Sequence, residues 1–101
     1  MPTYIMLANW TQQGIQNIKE SPSRLEASKK LFKSMGIKLK EFYLVLGRYD
    51  TVAILEAPND EAVAKAALIV GSLGAVRTDT LRAFKEDEYR KIIASLPGAS
   101  V

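Results

Sequence analysis

The sequence predicts an α+β fold in which one antiparallel sheet packs against helices. Short apolar runs of strand length alternate with segments that repeat apolar residues at helical spacing. Glycine, proline, serine or asparagine stands at most boundaries between them, as turns and helix caps prefer. The resulting order is β-α-β-β-α-β followed by a terminal helix. This is the order of a ferredoxin-like sandwich, whose helices cover one face of the sheet.

The N-terminal third of the chain predicts one strand and two helical segments. Residues 4–8 form an apolar run of strand length, and Thr11 can cap the short helical turn that follows. Ser21 is suited to be the N-cap of a longer helix, with Pro22 at its first position and Gly36 as its C-cap. The stripe that repeats at helical spacing in this helix consists of Leu25, Ser28, Leu31, Phe32 and Met35.

Two strands are predicted near the middle of the chain, at residues 38–46 and residues 51–57. Pro58 ends the second of these strands, and Asn59 or Asp60 can cap the helix that follows it. The apolar stripe of this helix consists of Val63, Ala66, Ala67, Val70 and Leu73.

A fourth strand and a terminal helix complete the predicted order. Residues 75–84 alternate in character along the chain, as expected of a strand with one exposed face. Residues 86–96 open with acidic side chains and end before Pro97 and Gly98, which is typical of a helix. The apolar stripe of this helix consists of Tyr89, Ile92, Ile93 and Leu96.

The parity of the strands predicts that both faces of the sheet are covered. A half-covered antiparallel strand alternates apolar and polar residues, but the first strand does not. Ile5 and Leu7 point to one face, and Tyr4 and Met6 point to the other. Two crossover helices cover one face only, so the other must meet the terminal helix or another subunit. We expect a homodimer or higher homo-oligomer; the alternative is a monomer whose last helix crosses the open face.

Length and charge narrow the class of protein. A chain of 101 residues is expected to form one domain, spanning residues 1–101. The net charge is only +3, and lysines are interleaved with glutamates, so we expect a solvated helix face and no nucleic-acid partner. No apolar run approaches the roughly 18 residues that span a membrane. No basic signal region precedes the first strand, so we expect a cytoplasmic protein with no membrane partner.

The residue types that are missing exclude several chemistries. The chain contains no cysteine and no histidine. This excludes thiolate nucleophiles, nucleophile–histidine triads, histidine-ligated haem and most zinc sites. The acidic residues do not cluster with the spacing of a calcium or magnesium site, and no glycine-rich phosphate loop is present. We therefore expect no metal and no cofactor.

The tetrapeptide Gly47-Arg48-Tyr49-Asp50, between the second and third strands, is the main candidate for a site. Glycine and aspartate suit a turn, but a turn does not require an aromatic ring with a hydroxyl. Tyr49 and Asp50 are therefore candidates for an acid–base or hydrogen-bonding pair at the mouth of a cleft. The alternative is that Asp50 bonds the turn backbone while Tyr49 packs at an oligomer interface.

The chain resembles the GYD domain family, small prokaryotic proteins named for a Gly-Tyr-Asp signature. The similarity runs from Thr3 to about Leu96, and Arg48 is inserted in the signature as the family pattern allows. The matching segments are Tyr4-Ile5, Thr11 with Gly14-Ile15, Ser21-Pro22 with Arg24, Phe42-Tyr43, Gly47 with Tyr49-Asp50, Glu56-Ala57-Pro58, Gly71-Ser72-Leu73-Gly74, Arg77-Thr78 and Ala83-Phe84. The resemblance implies a ferredoxin-like fold of the dimeric α+β barrel superfamily, with sheets pairing face to face. It implies no activity.

Four further residues are candidates for ligand binding. Asn9 and Trp10 follow the first strand, and cofactor-free barrel monooxygenases use such residue types; the alternative is that Trp10 packs under the first loop. Arg24, near the start of the long helix, could hold a carboxylate or phosphate, or could pair with Glu56. Arg82 on the fourth strand could bind an anion, or could belong to an exposed edge or interface.

The sequence leaves three functions open. The favoured one is a homo-oligomeric domain that binds or senses a small molecule. The second is a cofactor-independent enzyme of the α+β barrel type, monooxygenase- or isomerase-like, in which Tyr49 and Asp50 act as an acid–base pair. The third is a structural assembly protein without a ligand. The residues do not identify catalytic groups or a substrate.

Overall fold

A computed structural model describes residues 1–98 of the chain. The elements follow one another as β1 (Thr3–Trp10), α1 (Gln12–Gln16), α2 (Ser21–Ser34), β2 (Lys38–Leu44), β3 (Thr51–Glu56), α3 (Asp60–Ser72), β4 (Val76–Ala83) and α4 (Glu86–Ala94), with a 3-10 turn at Ile18–Glu20.

The four strands form one antiparallel sheet in the order β2-β3-β1-β4. The central strands β1 and β3 are therefore neighbours, while β2 and β4 lie at opposite edges. This order and the two crossover helices α2 and α3 are those of a ferredoxin-like α+β fold, so the predicted fold class is confirmed.

Alternate residues of the sheet face α2 and α3 and form the core. In β1 and β3 these include Tyr4 and its neighbour in register, Leu55, which is fully buried. The buried cluster consists of Tyr4, Met6, Phe32, Ile37, Ala53, Leu55, Ala57, Val63, Ala66 and Val70. Only Phe32 in this cluster comes from α2, whereas α3 supplies three residues. The sheet is therefore packed more fully against α3 than against α2.

The opposite side of the sheet, here called the open face, is also apolar. Register places its apolar side chains in one layer across the strands: Ile5, Leu7, Tyr43, Val52, Ile54 and Leu81. All six are partly or fully exposed. The predicted two-sided apolar character of the sheet is thus present in the structure.

Helix α4 does not cover the open face. Its apolar side chains and the leucine just beyond its end remain 42–58% exposed: Tyr89, Ile92, Ile93 and Leu96. The described chain measures 58 × 31 × 20 Å, with a radius of gyration of 16.1 Å. A compact chain of this length has a radius of gyration of about 13 Å. The alternative in which the last helix folds across its own sheet is therefore not the arrangement in this structure.

Most predicted elements are present, with boundaries that differ by one or two residues. The first strand continues beyond residue 8 through Asn9 to Trp10, because Trp10 pairs with Val76 of β4. The second strand ends at Leu44 rather than residue 46, and the last helix ends at Ala94 rather than residue 96. None of α1–α4 is long and apolar enough to cross a membrane within the described residues.

The caps of the helices agree with the sequence except at α2. The Thr11 Oγ1 accepts a hydrogen bond from the Gly14 N–H at 3.1 Å, and the Asn59 side chain caps α3. Ser21 is not an N-cap, because the 3-10 turn at Ile18–Glu20 runs directly into α2. Glu20 takes the cap position and makes no side-chain cap hydrogen bond.

Gly14 holds the start of the first crossover against the strand β4. A Cβ atom at this position would lie 2.0 Å from the backbone oxygen of Ala75, a distance that no side chain can occupy. The Thr11 N–H donates to the same oxygen at 3.0 Å. The absence of a side chain at Gly14 is therefore what lets the first turn of α1 pack directly on the backbone.

Candidate functional site

Asp50 fastens the β2–β3 loop, residues 45–50, to the end of β1. Its N–H donates to the Ala8 carbonyl at 2.9 Å, and its carboxylate accepts the Trp10 N–H at 3.0 Å. Its own carbonyl accepts the Val45 N–H at 2.9 Å, closing the loop. Gly47 adopts a φ of 131°, a backbone conformation that favours glycine. The Asp50 side chain is therefore occupied by the backbone of β1 and not by that of its own turn.

Tyr49 reaches along the open face toward β4. Its hydroxyl donates to the Asp79 carboxylate at 2.7 Å, and Asp79 lies opposite Leu7 in the register of the sheet. The hydrogen bond to Asp79, together with partial burial, raises the pKa of the Tyr49 hydroxyl above 10.0. Tyr49 and Asp50 thus have different hydrogen-bond partners, and the side-chain pair in this structure is Tyr49 with Asp79.

A cavity of about 170 Å³ lies between α2 and the helix-facing side of the sheet. Its lining includes two of the residues singled out in the sequence, Trp10 and Arg24. The rest of its walls are mostly apolar and include Met6, Leu25, Phe32, Phe42, Ala53, Val70 and Leu73. Thr51, Thr78 and Ser28 add hydroxyl groups. The cavity combines an apolar interior with a few polar groups, which is the composition of a small-molecule site.

Arg24 lies at this cavity, and it does not pair with Glu56. Its guanidinium donates to the backbone oxygens of Asn17 at 3.0 Å and Gly14 at 3.3 Å, and it lies 3.9 Å from the Glu20 carboxylate. The pairing with Glu56 that the sequence left open is not formed, because the guanidinium lies beside α1 and the 3-10 turn and donates to backbone carbonyls there.

Glu56 forms its ion pairs elsewhere, at the edge of the open face. Its carboxylate lies 3.2 Å from the Lys85 ammonium and 4.0 Å from the Lys40 ammonium. The hydrogen bond from Lys85 is the main reason that the pKa of Glu56 lies below 4.5.

The remaining candidates lie away from the cavity. The Arg82 guanidinium stacks over the Phe84 ring at 4.3 Å and the Tyr4 ring at 5.6 Å, and it donates to the Thr3 carbonyl at 3.3 Å. The register of β1 places the Asn9 side chain on the open face. The structure therefore brings Trp10 and Arg24 together, joins Asp50 to Trp10 through the backbone, and leaves the other candidates apart.

Sequence reasoning missed the small residues that leave room for this cavity. Ser28 occupies a place in the helical stripe of α2 where a large apolar residue would fill the space, and Ala53 does the same in β3. A serine within an apolar stripe was the one signal of a cavity available in the sequence. No cluster of three or more acidic side chains able to hold a metal ion occurs among residues 1–98.

The chain is similar in sequence to known proteins. The model of the GYD domain matches residues 4–93. A Thermus thermophilus protein named "glutamine synthetase and cystathionine beta-lyase binding protein" is 38% identical over 84 residues, which cover 82% of this chain and 88% of the relative.

Solved structures show the same architecture. A crystal structure of a Thermus thermophilus protein superposes with a TM-score of 0.55 at 26% identity, over 84% of this chain and 95% of that one. The leucine response regulatory protein of Mycobacterium tuberculosis superposes with a TM-score of 0.57 at 17% identity, over 85% of this chain and 54% of that one, a likeness of fold alone. Since the family model covers nearly the whole described chain, this protein belongs to the GYD domain family.

Proposed function

We propose that this protein is a homo-oligomeric binding domain that holds a small, mostly apolar molecule in the cavity beneath α2. The cavity is the observation that carries the proposal. The space is partly open to solvent and is walled mainly by apolar side chains, so a ligand that enters it removes apolar surface from water at about 25 cal/mol per Å². Such a ligand would therefore stabilise the folded chain.

The walls of the cavity define the class of ligand. An apolar cavity of about 150 Å³ accommodates one small ring, so the ligand is of that size or slightly larger. The hydroxyls of Ser28, Thr51 and Thr78 offer polar contacts, and the Arg24 guanidinium, held by the Asn17 and Gly14 carbonyls, adds positive charge to the lining. We therefore favour a small aromatic or branched apolar molecule that carries one anionic or hydroxyl group.

The open face supports self-association as the second part of the proposal. Six apolar side chains form one layer across all four strands, and no helix of the described chain covers them. Packing this layer against a second copy would remove its apolar area from water, which stabilises the pair by about 25 cal/mol for each Å² buried. The name of the Thermus relative describes a protein that binds other proteins. By analogy, we extend the proposal to a regulatory role through a protein partner.

A substitution within α2 tests the ligand site. Native mass spectrometry and thermal-shift assays with a panel of small aromatic and branched acids should identify a stabilising ligand. Ser28→Leu, which fills the cavity, should abolish the shift, whereas Ser23→Leu, on the exposed side of the same helix, should retain it. A stabilising ligand that binds both variants equally would place its site elsewhere and refute the proposal.

A second pair of variants tests self-association. Leu81→Lys places a charge on the open face, where Leu81 is 46% exposed. Leu68→Lys places the same charge on α3, where Leu68 is 74% exposed. Analytical ultracentrifugation should show dissociation of the first variant only. A wild-type chain that sediments as a monomer would contradict this part of the proposal.

The Tyr49–Asp79 pair favours one alternative function. A phenol hydrogen-bonded to a carboxylate on an apolar face would place a hydrogen-bond donor beside a base if a second sheet encloses the pair. This supports a cofactor-independent enzyme as the second candidate. Tyr49→Phe would abolish turnover of such an enzyme while leaving assembly intact, whereas a binding domain with its ligand beneath α2 would retain its affinity.

A further inference from the structure

A basic groove of about 650 Å³ runs between the C-terminal half of α2 and the outer edge of β2. Four lysines, one glutamate and two apolar side chains define it here: Lys29, Lys33, Lys38, Lys40, Glu41, Leu39 and Phe42. Lys29 and Lys40 each lie within 4.0 Å of a glutamate. In the described part of the chain, Lys33 and Lys38 have no carboxylate within that distance. The groove therefore offers unneutralised positive charge beside an apolar floor.

Helix α4 carries the complementary surface and packs only weakly on the rest of the described chain. Its first turn is acidic. Glu86 pairs with Arg90 at 2.7 Å and Glu88 accepts the Lys85 N–H, so Asp87 is the carboxylate of this turn that has no basic side chain within 4.0 Å among the described residues.

The exposed apolar side chains of α4, Tyr89, Ile92 and Ile93, fall at positions i, i+3 and i+4, a spacing by which a helix anchors in an apolar groove. Leu96, also exposed, follows just beyond the end of the helix. The acidic first turn of α4 matches the lysines at the rim of the groove. The apolar side chains that follow it match the apolar floor of the groove.

Topology places the two complementary surfaces at opposite edges of one sheet. Helix α4 follows β4, whereas the groove flanks β2, and β3 and β1 lie between them. When two such sheets meet face to face about a two-fold axis parallel to their strands, β4 of one copy lies against β2 of the other. The α4 of each copy then emerges beside the groove of its partner.

We propose that α4 of one copy docks in the basic groove of a second copy, and that the exchange is reciprocal. This inference rests on the proposed self-association through the open face and adds to it a second contact. A second copy of this chain is the proposed occupant for three reasons. The first turn of α4 is acidic where the groove is basic, and both surfaces carry apolar side chains. The two surfaces also lie at opposite edges of the sheet, which face-to-face pairing brings together. Docking would also bury the α4 stripe that is exposed in the single chain.

Disulfide trapping tests the contact directly, because the chain has no cysteine of its own. Lys33→Cys in the groove and Asp87→Cys on α4 are purified separately with different tags, mixed, allowed to exchange subunits and oxidised. Lys65→Cys on α3, whose side chain is exposed, replaces Lys33→Cys in the control pair. The groove pair should form the mixed disulfide about tenfold faster or more, because docking raises the effective concentration.

A charge reversal tests the electrostatic part of the docking. Lys33→Glu should lower the rate at which Lys38→Cys in the groove forms a disulfide with Asp87→Cys on α4. Glu86→Lys in the partner should restore that rate. High salt should weaken the trapping, as it screens exposed charges.

Each remaining outcome overturns the proposal in a distinguishable way. A dimer that traps the groove pair no faster than the control pair would refute docking of α4 while leaving the pairing of the sheets intact. A wild-type chain that is monomeric would refute both. A disulfide formed within one chain that carries both cysteines, at a rate independent of protein concentration, would show that α4 returns to its own groove.

Discussion

Ser28→Leu is the substitution that probes the cavity most directly. Leucine replaces the serine hydroxyl with three carbon groups that point into a space of about 170 Å³. Each buried carbon contributes about 0.8 kcal/mol, and ordering the leucine side chain opposes this by about 0.5–1 kcal/mol. We therefore expect a net stabilisation of about 1–2 kcal/mol. The Ser28 hydroxyl makes no hydrogen bond within residues 1–98, so no polar contact is lost.

Chemical denaturation and calorimetry measure this effect in the ligand-free protein. A gain of about 1–2 kcal/mol raises the melting temperature of a chain of this size by about 5–10 °C. Ser23→Leu is the matched control, since it makes the same change outside the cavity and gains only a few tenths of a kcal/mol in helix propensity. If Ser28→Leu is no more stable than Ser23→Leu, the space beneath α2 is not an open cavity and the reasoning fails.

Three further predictions concern the residues that hold the fold together. Gly14→Ala should destabilise the chain by about 3 kcal/mol or more in urea unfolding, because its Cβ would overlap the Ala75 oxygen; an effect below about 1 kcal/mol would contradict this packing. Asp50→Ala should cost about 1–3 kcal/mol by leaving the Trp10 N–H without a partner, whereas a neutral effect would show that water replaces the carboxylate. The pKa of Glu56 is depressed in the folded chain, so its stabilising contribution is present above about pH 4.5 and is lost as the pH falls through the folded value. Glu56→Gln should therefore be less stable than wild type at neutral pH, with a difference that shrinks in acid; a constant difference from neutral to acidic pH would refute the assignment.

The periodicity of the chain was sufficient to predict the elements and their order. Apolar runs of strand length and helical stripes are local properties, so the ferredoxin-like order follows from them. The exact residues at which the strands end depend on contacts with distant parts of the chain. Trp10 belongs to β1 only because Val76 of β4 pairs with it, and β2 stops at Leu44 because Asp50 draws the following loop toward β1.

The candidate site could be predicted only in part, for a related reason. Trp10 and Arg24 were recognised as residue types that bind ligands, but their common cavity depends on how far α2 stands from the sheet. That distance is set by many weak contacts across the core and has no signature in the sequence. The partner of Tyr49 was equally hidden, since Asp79 is 30 residues away and meets it only across the sheet.

The hydrogen bond between the Asp50 carboxylate and the Trp10 N–H has a consequence for how the family signature is interpreted. It joins segments 40 residues apart at the ends of the two central strands, so the aspartate holds the β2–β3 loop against β1. If other members of the family keep this bond, the signature they share describes how β1 and the β2–β3 loop are held together. It then carries no information on what binds beneath α2.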